Sequence, residues 1–210
     1  MSLFIYRNST VESLFSNFDA KFSGYDDISE VPLDIEAYIW CYFLPIRFDH
    51  SKLSDEISSY YYNIELLYNQ IPSTKSFFIF NLSSIYTNII ETGNFKLSVA
   101  IDEFNMRIIK LANDNKNIKI IDFKSFVLKQ STDKIIDWKY YYLSKMIINP
   151  KITNDFRFWF NQEINSIEMK RKKCLILDLD NTLWGGILGE DGISGIKIGG
   201  DYPGNAFLDF

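Results

Sequence analysis

The thirteen residues CLILDLDNTLWGG, Cys174 to Gly186, carry the strongest chemical signal in this 210-residue sequence. The apolar run from Cys174 to Asp178 reads as a strand leading into two carboxylates, Asp178 and Asp180, spaced two apart. Side chains two apart in a strand point to the same side, about 6.5 Å apart if the chain stays extended. Acids placed that way repel. At the carboxyl end of a strand in an open α/β sheet, a divalent cation would hold both ionised. A bare D-x-D is commonly no more than a helix cap beside a solvated acid. Here Asn181, Thr182 and the glycines of LWGGILGEDG follow, and such glycines permit the tight turns of a small flap.

Other residues carry weaker signals. His50, the one histidine, follows Phe48 and Asp49 at an expected strand-to-helix loop; without a second ligand it reads as a cap or a solvated side chain. The runs SSYYYN and WKYYYL could form a stacking platform for bases or sugars. With no basic residues interleaved, they read instead as amphipathic core or rim, where a tyrosine buries its ring and keeps its hydroxyl wet. The 22 basic and 27 acidic residues give a net charge of -5 and no basic stripe, which argues against a nucleic-acid partner. Cys41 and Cys174 both lie in apolar runs and form no disulfide framework, so a reducing, cytoplasmic setting is expected. No window approaches about 18 uninterrupted apolar residues, and MSLFIYRNST lacks the basic start of a signal peptide, so no membrane association is expected.

The elements that must position these residues alternate along the chain. LFIYR (3–7) predicts a strand, and STVESLFSNFDAKF a helix with a Ser/Thr cap and Glu12 in its first turn. DIEAYIWCYFLPI (34–46) is continuously apolar, as in a strand buried on both faces. A helix is expected at about 51–70, a strand at 76–84, a helix at 97–116 and a fourth strand at 118–123. Helical segments follow Asp137 and cover 155–169. The pattern predicts a doubly wound, mostly parallel α/β fold of three layers over 1–169. At the polar joint KRKK (170–173) the helical period ends, and 170–210 is expected to begin afresh with a strand.

LDLDNTLWGG, with GEDGI and GGDYPGNAF behind it, resembles the first motif, D-x-D-x-T, and the flap of haloacid dehalogenase (HAD) superfamily phosphatases, specifically the FkbH-like branch. Upstream, YRNSTVESLF and DWKYYYLSKM resemble segments of an N-terminal domain related to the SGNH hydrolases, so the likeness touches nearly the full length. The resemblance implies that Asp178 is the nucleophile, forming an aspartyl phosphate, and that Asp180 is the general acid and then the base. It also implies that Mg²⁺ binds the Asp178 carboxylate and the Asp180 backbone carbonyl, while Thr182 orients Asp178 against a phosphorylated small molecule. The family further needs a Ser/Thr, a Lys and later acidic metal ligands, which would lie beyond Phe210. The chain is therefore expected to be an SGNH/flavodoxin-like domain plus the first strand and flap of an incomplete HAD domain, inactive by itself.

In the SGNH hydrolases a serine after the first strand works with a D-x-x-H segment. Asn8 or Ser9 stands where that serine would be and Asp137 where the aspartate would be, but position 140 is Tyr. A neutral phenol, with a pKa of about 10, is a poor base near neutral pH. The resemblance thus implies a degenerate pocket kept for binding, lined by Arg7, Asn8, Ser9, Thr10, Asp137 and Lys139; Ser9 and Thr10 read equally well as helix caps. Cys174 is expected to be a buried packing residue, although FkbH-like proteins suggest an acyl-carrying thiol. The function implied for the parent protein is phosphatase or phosphoryl-to-acyl transfer, as from 1,3-bisphosphoglycerate to an acyl carrier protein. The alternatives are a binding module for a carrier protein, sugar or lipid precursor, and a residual esterase. Residues 174–198, an apolar strand without its sheet, are further expected to pair either on the first domain's edge or across a dimer, so that the chain self-associates.

Overall fold

Strands β1 (Ser2–Arg7), β2 (Asp19–Tyr25), β3 (Ala37–Cys41), β4 (Ser76–Phe80) and β5 (Ile118–Ile121) form one sheet in the order β2-β1-β3-β4-β5. Every pair is parallel. The structure, a computed structural model, describes residues 1–46, 52–85, 96–168, 174 and 176–209. The chain divides into two compact units, Met1–Glu168 and Met169–Phe210. His50, Leu175 and the KRKK joint lie outside the described residues.

Alternation inside the apolar runs assigns each strand residue to one of two cores. Leu3, Ile5, Ile39, Cys41, Phe78 and Phe80 face one side; Phe4, Tyr6, Tyr38, Trp40, Phe77 and Ile79 face the other. All are buried, which is why the runs read as continuously apolar. The second side is covered by α1 (Leu53–Gln70) and α2 (Lys96–Asp114). Tyr60 and Tyr61 of SSYYYN are buried there, and Tyr62 is exposed. The first side is covered by α3 (Phe123–Leu128), α4 (Thr132–Ile135), a 3₁₀ turn at Pro150–Ile152 and α6 (Thr153–Ile167), with α5 (Trp138–Ser144) between them. The result is the doubly wound, three-layer α/β fold that the alternation predicts.

The predicted helix over STVESLFSNFDAKF is not formed. Val11, Leu14 and Phe15 do enter the first core, but through successive three-residue turns: Leu14 N–H donates to Val11 O (2.9 Å) and Phe18 N–H to Phe15 O (2.9 Å). The chain then straightens into β2, where Ala20 and Phe22 pack inward and pair alongside β1. Backbone pairing at the open edge of β1 overrides the local helical period. The run 34–46 is a strand only at its centre; residues 42–44 are buried loop.

Connections moving from β1 to β2 lie on one side of the sheet, and those moving from β3 toward β5 lie on the other. β1 and β3 are thus the point at which the winding reverses, where an open α/β sheet leaves a crevice at its carboxyl edge.

In the second unit, α7 (Leu188–Gly195), kinked at Gly192, and α8 (Gly204–Leu208) are the helical elements among the described residues. The strand expected from Cys174 to Asp178 is absent: residues 174 and 176–179 take no regular structure. A strand needs a partner's backbone groups, and among the described residues none bonds to this stretch as a ladder. No helix among the described residues is long and apolar enough to cross a membrane.

Candidate functional site

In the first unit, the ends of β1 and β3 are fastened together by Asn8. Its Nδ2 donates to Phe43 O at 2.7 Å and its Oδ1 accepts from Phe43 N–H at 3.1 Å, so one amide side chain satisfies both backbone groups of a buried loop residue. Asn8 Nδ2 also approaches the Tyr60 hydroxyl (3.3 Å), which donates to Glu56 Oε1 at 2.6 Å. Burial, and then the neighbouring Glu56 carboxylate, push the Tyr60 phenol far above its ordinary range, so it stays a donor. This network forms one wall of a cavity of about 120 Å³ lined by Asn8, Ser9, Asp26, Glu56, Tyr141 and Lys145, among others. Ser9 is buried, and its Oγ has no hydrogen-bond partner. Asp26 and Lys145 are exposed at the cavity's mouth. Burial raises the Asp26 carboxyl above its ordinary pKa; Lys145 pulls it down and Glu56 raises it further.

Asp26 (φ 55°) and Lys145 (φ 54°) are the non-glycine residues with positive φ among the described residues of this unit. Lys145 closes α5 in the left-handed conformation, with its N–H on Tyr141 O at 3.0 Å. Two sterically unfavourable backbone positions thus stand beside one cavity.

Of the residues expected to line this pocket, Asn8 and Ser9 do. Arg7 turns to the outer edge: its Nε donates to Ser23 O (2.9 Å), it pairs with Glu12, and its guanidinium lies over Tyr25, 4.6 Å from the ring centre. Glu12 is therefore an ion-pair partner and not a helix-start residue. The Thr10 hydroxyl is shared between Tyr25 Oη at 2.7 Å and the Ser144 carbonyl, which ties β1 to the end of α5. Neither serine nor threonine caps a helix here. Asp137 caps α5, accepting from Lys139 N–H at 3.0 Å. It is the opposite end of α5, Tyr141 and Lys145, that reaches the cavity. Asp26, Glu56, Tyr141 and Lys145 were not legible as site residues, because no spacing relates them; the crossovers and the α5 turn gather them.

In the second unit, Asp180 organises the flap. Its Oδ1 accepts from Trp184 Nε1–H (3.1 Å) and from Leu188 N–H (3.1 Å). Asn181, at φ 55°, accepts from Gly186 N–H at 2.9 Å, and Gly185 and Lys197 exchange backbone bonds of 3.0 and 2.7 Å. Gly186 has φ 103°, and a Cβ there would lie 2.9 Å from Asp191 Oδ2, the oxygen that accepts from Ile187 N–H. Only glycine fits that turn. Asp178 is exposed, and its Oδ1 accepts from Leu179 N–H at 2.8 Å. Thr182 donates its backbone N–H to Leu179 O (3.2 Å) and makes no hydrogen bond to Asp178 among the described residues. No group of three or more His, Cys, Asp or Glu able to hold a metal occurs among the described residues. Cys174 is a free, exposed thiol and not the buried packing residue expected; without a sheet above it, an apolar neighbourhood is missing. Cys41 is buried, and burial pushes its thiol well above the ordinary range.

No family model matches this sequence, and no curated protein matches it. Among solved structures, the fold is similar to that of the N-terminal part of the protein BF1531 from Bacteroides fragilis, whose crystal structure contains a phosphatase domain complexed with Mg. The TM-score is 0.73 at 20% identity, covering 100% of this chain and 64% of that chain. At that identity the likeness is one of fold.

Proposed function

We propose that residues 174–209 supply the nucleophile-bearing part of a Mg²⁺-dependent phosphatase site, of the HAD type and FkbH-like branch. The observation that carries this reading is the division of labour between the two aspartates: Asp180 is tied by Oδ1 into the flap, while Asp178 presents its carboxylate to solvent beside it. Mg in the similar solved structure supports the choice of ion. The donors fit it: carboxylate and carbonyl oxygens are the hard ligands Mg²⁺ takes, and Asp178 with the Asp180 carbonyl would hold it together with further oxygens. When bound, the ion neutralises phosphate charge as it develops in the transition state.

The chain's own residues would then act in order. An Asp178 oxygen forms a bond to phosphorus as the bond from phosphorus to the leaving oxygen breaks, and Asp180 gives that oxygen a proton through Oδ2. Asp180, now ionised, takes a proton from the water that displaces phosphate from Asp178. The flap holds Asp180 in place through Trp184 Nε1–H and Leu188 N–H. In the FkbH-like reading the phosphorylated substrate is a three-carbon acid delivered to an acyl carrier protein, with the first unit acting as the docking or binding domain.

The protein in which this segment meets its remaining metal ligands should form a hydroxylamine-labile phosphate adduct on the peptide containing Asp178. Asp178→Asn should abolish the adduct and lower aryl-phosphate hydrolysis by roughly 10³-fold or more. The 210-residue chain alone should remain at background with Mg²⁺. An adduct on any other residue, or full turnover in Asp178→Asn, would sink the assignment.

A second expectation concerns association. Ile176 is 90% exposed and Ile193 85%, leaving apolar side chains uncovered in a short segment. We infer that the segment self-associates by strand pairing across copies. Light scattering should give a mass above that of its own monomer for residues 1–210 and the monomer mass for residues 1–168, at equal concentration. Monomer masses for both would refute it.

A further inference from the structure

The cavity at the carboxyl ends of β1 and β3 has unmet demands of two kinds. The first is a hydrogen bond. Ser9 is 1% exposed, lines the cavity, and its Oγ has no partner. Asn8 does not donate one, because both hydrogens of its amide are engaged by Phe43 O and the Tyr60 hydroxyl. A shielded hydroxyl without a partner is unfavourable, so an occupant that bonds it is favoured.

The second is charge. Asp26 and Glu56 contribute two carboxylates and Lys145 one ammonium, leaving an excess of one negative charge. The Tyr60 hydroxyl bonds Glu56 without neutralising it. Lys145 Nζ is divided between this cavity and the face of Tyr25, 5.3 Å from the ring centre. Burial is the main cause that raises the Asp26 pKa; Lys145 lowers it, and Glu56, with the smaller effect of the two, raises it. An anion entering would meet two carboxylates for one lysine. A cation would relieve both.

Size sets the third limit. A volume near 120 Å³ holds roughly four to six heavy atoms, fewer than a sugar or a nucleotide.

We propose that this cavity binds a primary ammonium group carried next to a hydroxyl, as a small amino alcohol or the aminoalkyl end of a longer molecule. Asp26 and Glu56 receive the ammonium, and Ser9 Oγ bonds the hydroxyl. No residue of 174–209 takes part, so this site and the phosphatase reading stand or fall separately.

The test is a titration of the ¹⁵N-labelled 210-residue chain with ethanolamine, followed by amide chemical shifts. Saturable shifts are expected at Ser9, Asp26 and Lys145, with ethylene glycol at least tenfold weaker on the same amides. Glu56→Gln, which keeps an acceptor for Tyr60, should weaken ethanolamine about tenfold, and Ser9→Ala several-fold. Asp26→Gly removes the carboxylate at a backbone position that suits glycine, so the fold is retained, and should weaken binding about tenfold. Stronger shifts with inorganic phosphate would mark an anion site, and equal shifts with ethylene glycol would remove the role of charge. The absence of any saturable shift with ethanolamine would mean that the cavity holds only water. Each of these three results overturns the proposal.

Discussion

Replacing Phe80 by alanine should destabilise the first unit by about 3–5 kcal/mol, the range for truncating a fully buried aromatic. Phe80 ends β4 with 0% exposure. Its ring centre lies 5.8 Å from Phe123, 6.0 Å from Phe160, 6.1 Å from Trp159 and 6.3 Å from both Phe43 and Phe156. The ring therefore joins a strand, the loop after β3, α3 and α6. Its neighbours are themselves held by edge and stacked contacts, such as Phe126 to Phe156 at 5.5 Å, so collapse around the vacated space is restricted. Phe80→Leu retains most of the volume and should cost less than half as much. Urea unfolding of both variants beside the parent reads the difference, and an alanine variant losing under about 1 kcal/mol would mean that the cluster repacks freely.

Asn8→Ala should cost about 2–4 kcal/mol, more than its single exposed-edge position in sequence suggests, because it strands two backbone groups together. Phe43 N–H and C=O both bond the Asn8 amide, and Phe43 is 1% exposed, so water reaches them poorly. Asn8→Asp is the sharper probe. It keeps the acceptor for Phe43 N–H but sets a carboxylate oxygen against the Phe43 carbonyl, and it should be at least as damaging as alanine near neutral pH. Hydrogen exchange at the Phe43 amide should accelerate in both variants. An unchanged exchange rate with unchanged stability would show that the amide clamp is dispensable.

The strands that face apolar side chains on both sides were readable because composition alone marks them: YIWC in β3 and FFIF in β4 leave no polar period to misread. β2 was not. Its inward set is Ala20 and Phe22, too few to outweigh the helical spacing of Val11, Leu14 and Phe15 just before it, and its place in the sheet comes from the vacant edge of β1. The carboxylate motif was legible because it is local: Asp178, Asp180 and Asn181 stand within four consecutive positions. The expected strand beneath it failed for the opposite reason, since strands are made by partners and not by sequence. Asn8 and Ser9 could be located by their position after the first strand. Asp26, Glu56 and Lys145 could not, because they converge only through crossovers of unrelated length.

The order β2-β1-β3-β4-β5 also bears on how the protein emerges from a ribosome. Once β1, β2 and β3 have met, β4 and then β5 each add to one growing side, so synthesis and sheet growth run in the same direction. The two faces do not keep pace. The one covered by α1 and α2 has its helices in hand by Asp114, whereas the other waits for Phe156, Trp159 and Phe160 of α6. A nascent chain of intermediate length therefore carries one finished face and one bare aromatic face, the kind of surface that recruits chaperones. Stalled chains ending before residue 153 should bind a fluorescent apolar dye, and the signal should fall once α6 has cleared the exit tunnel; dye binding that ignores α6 would contradict this order.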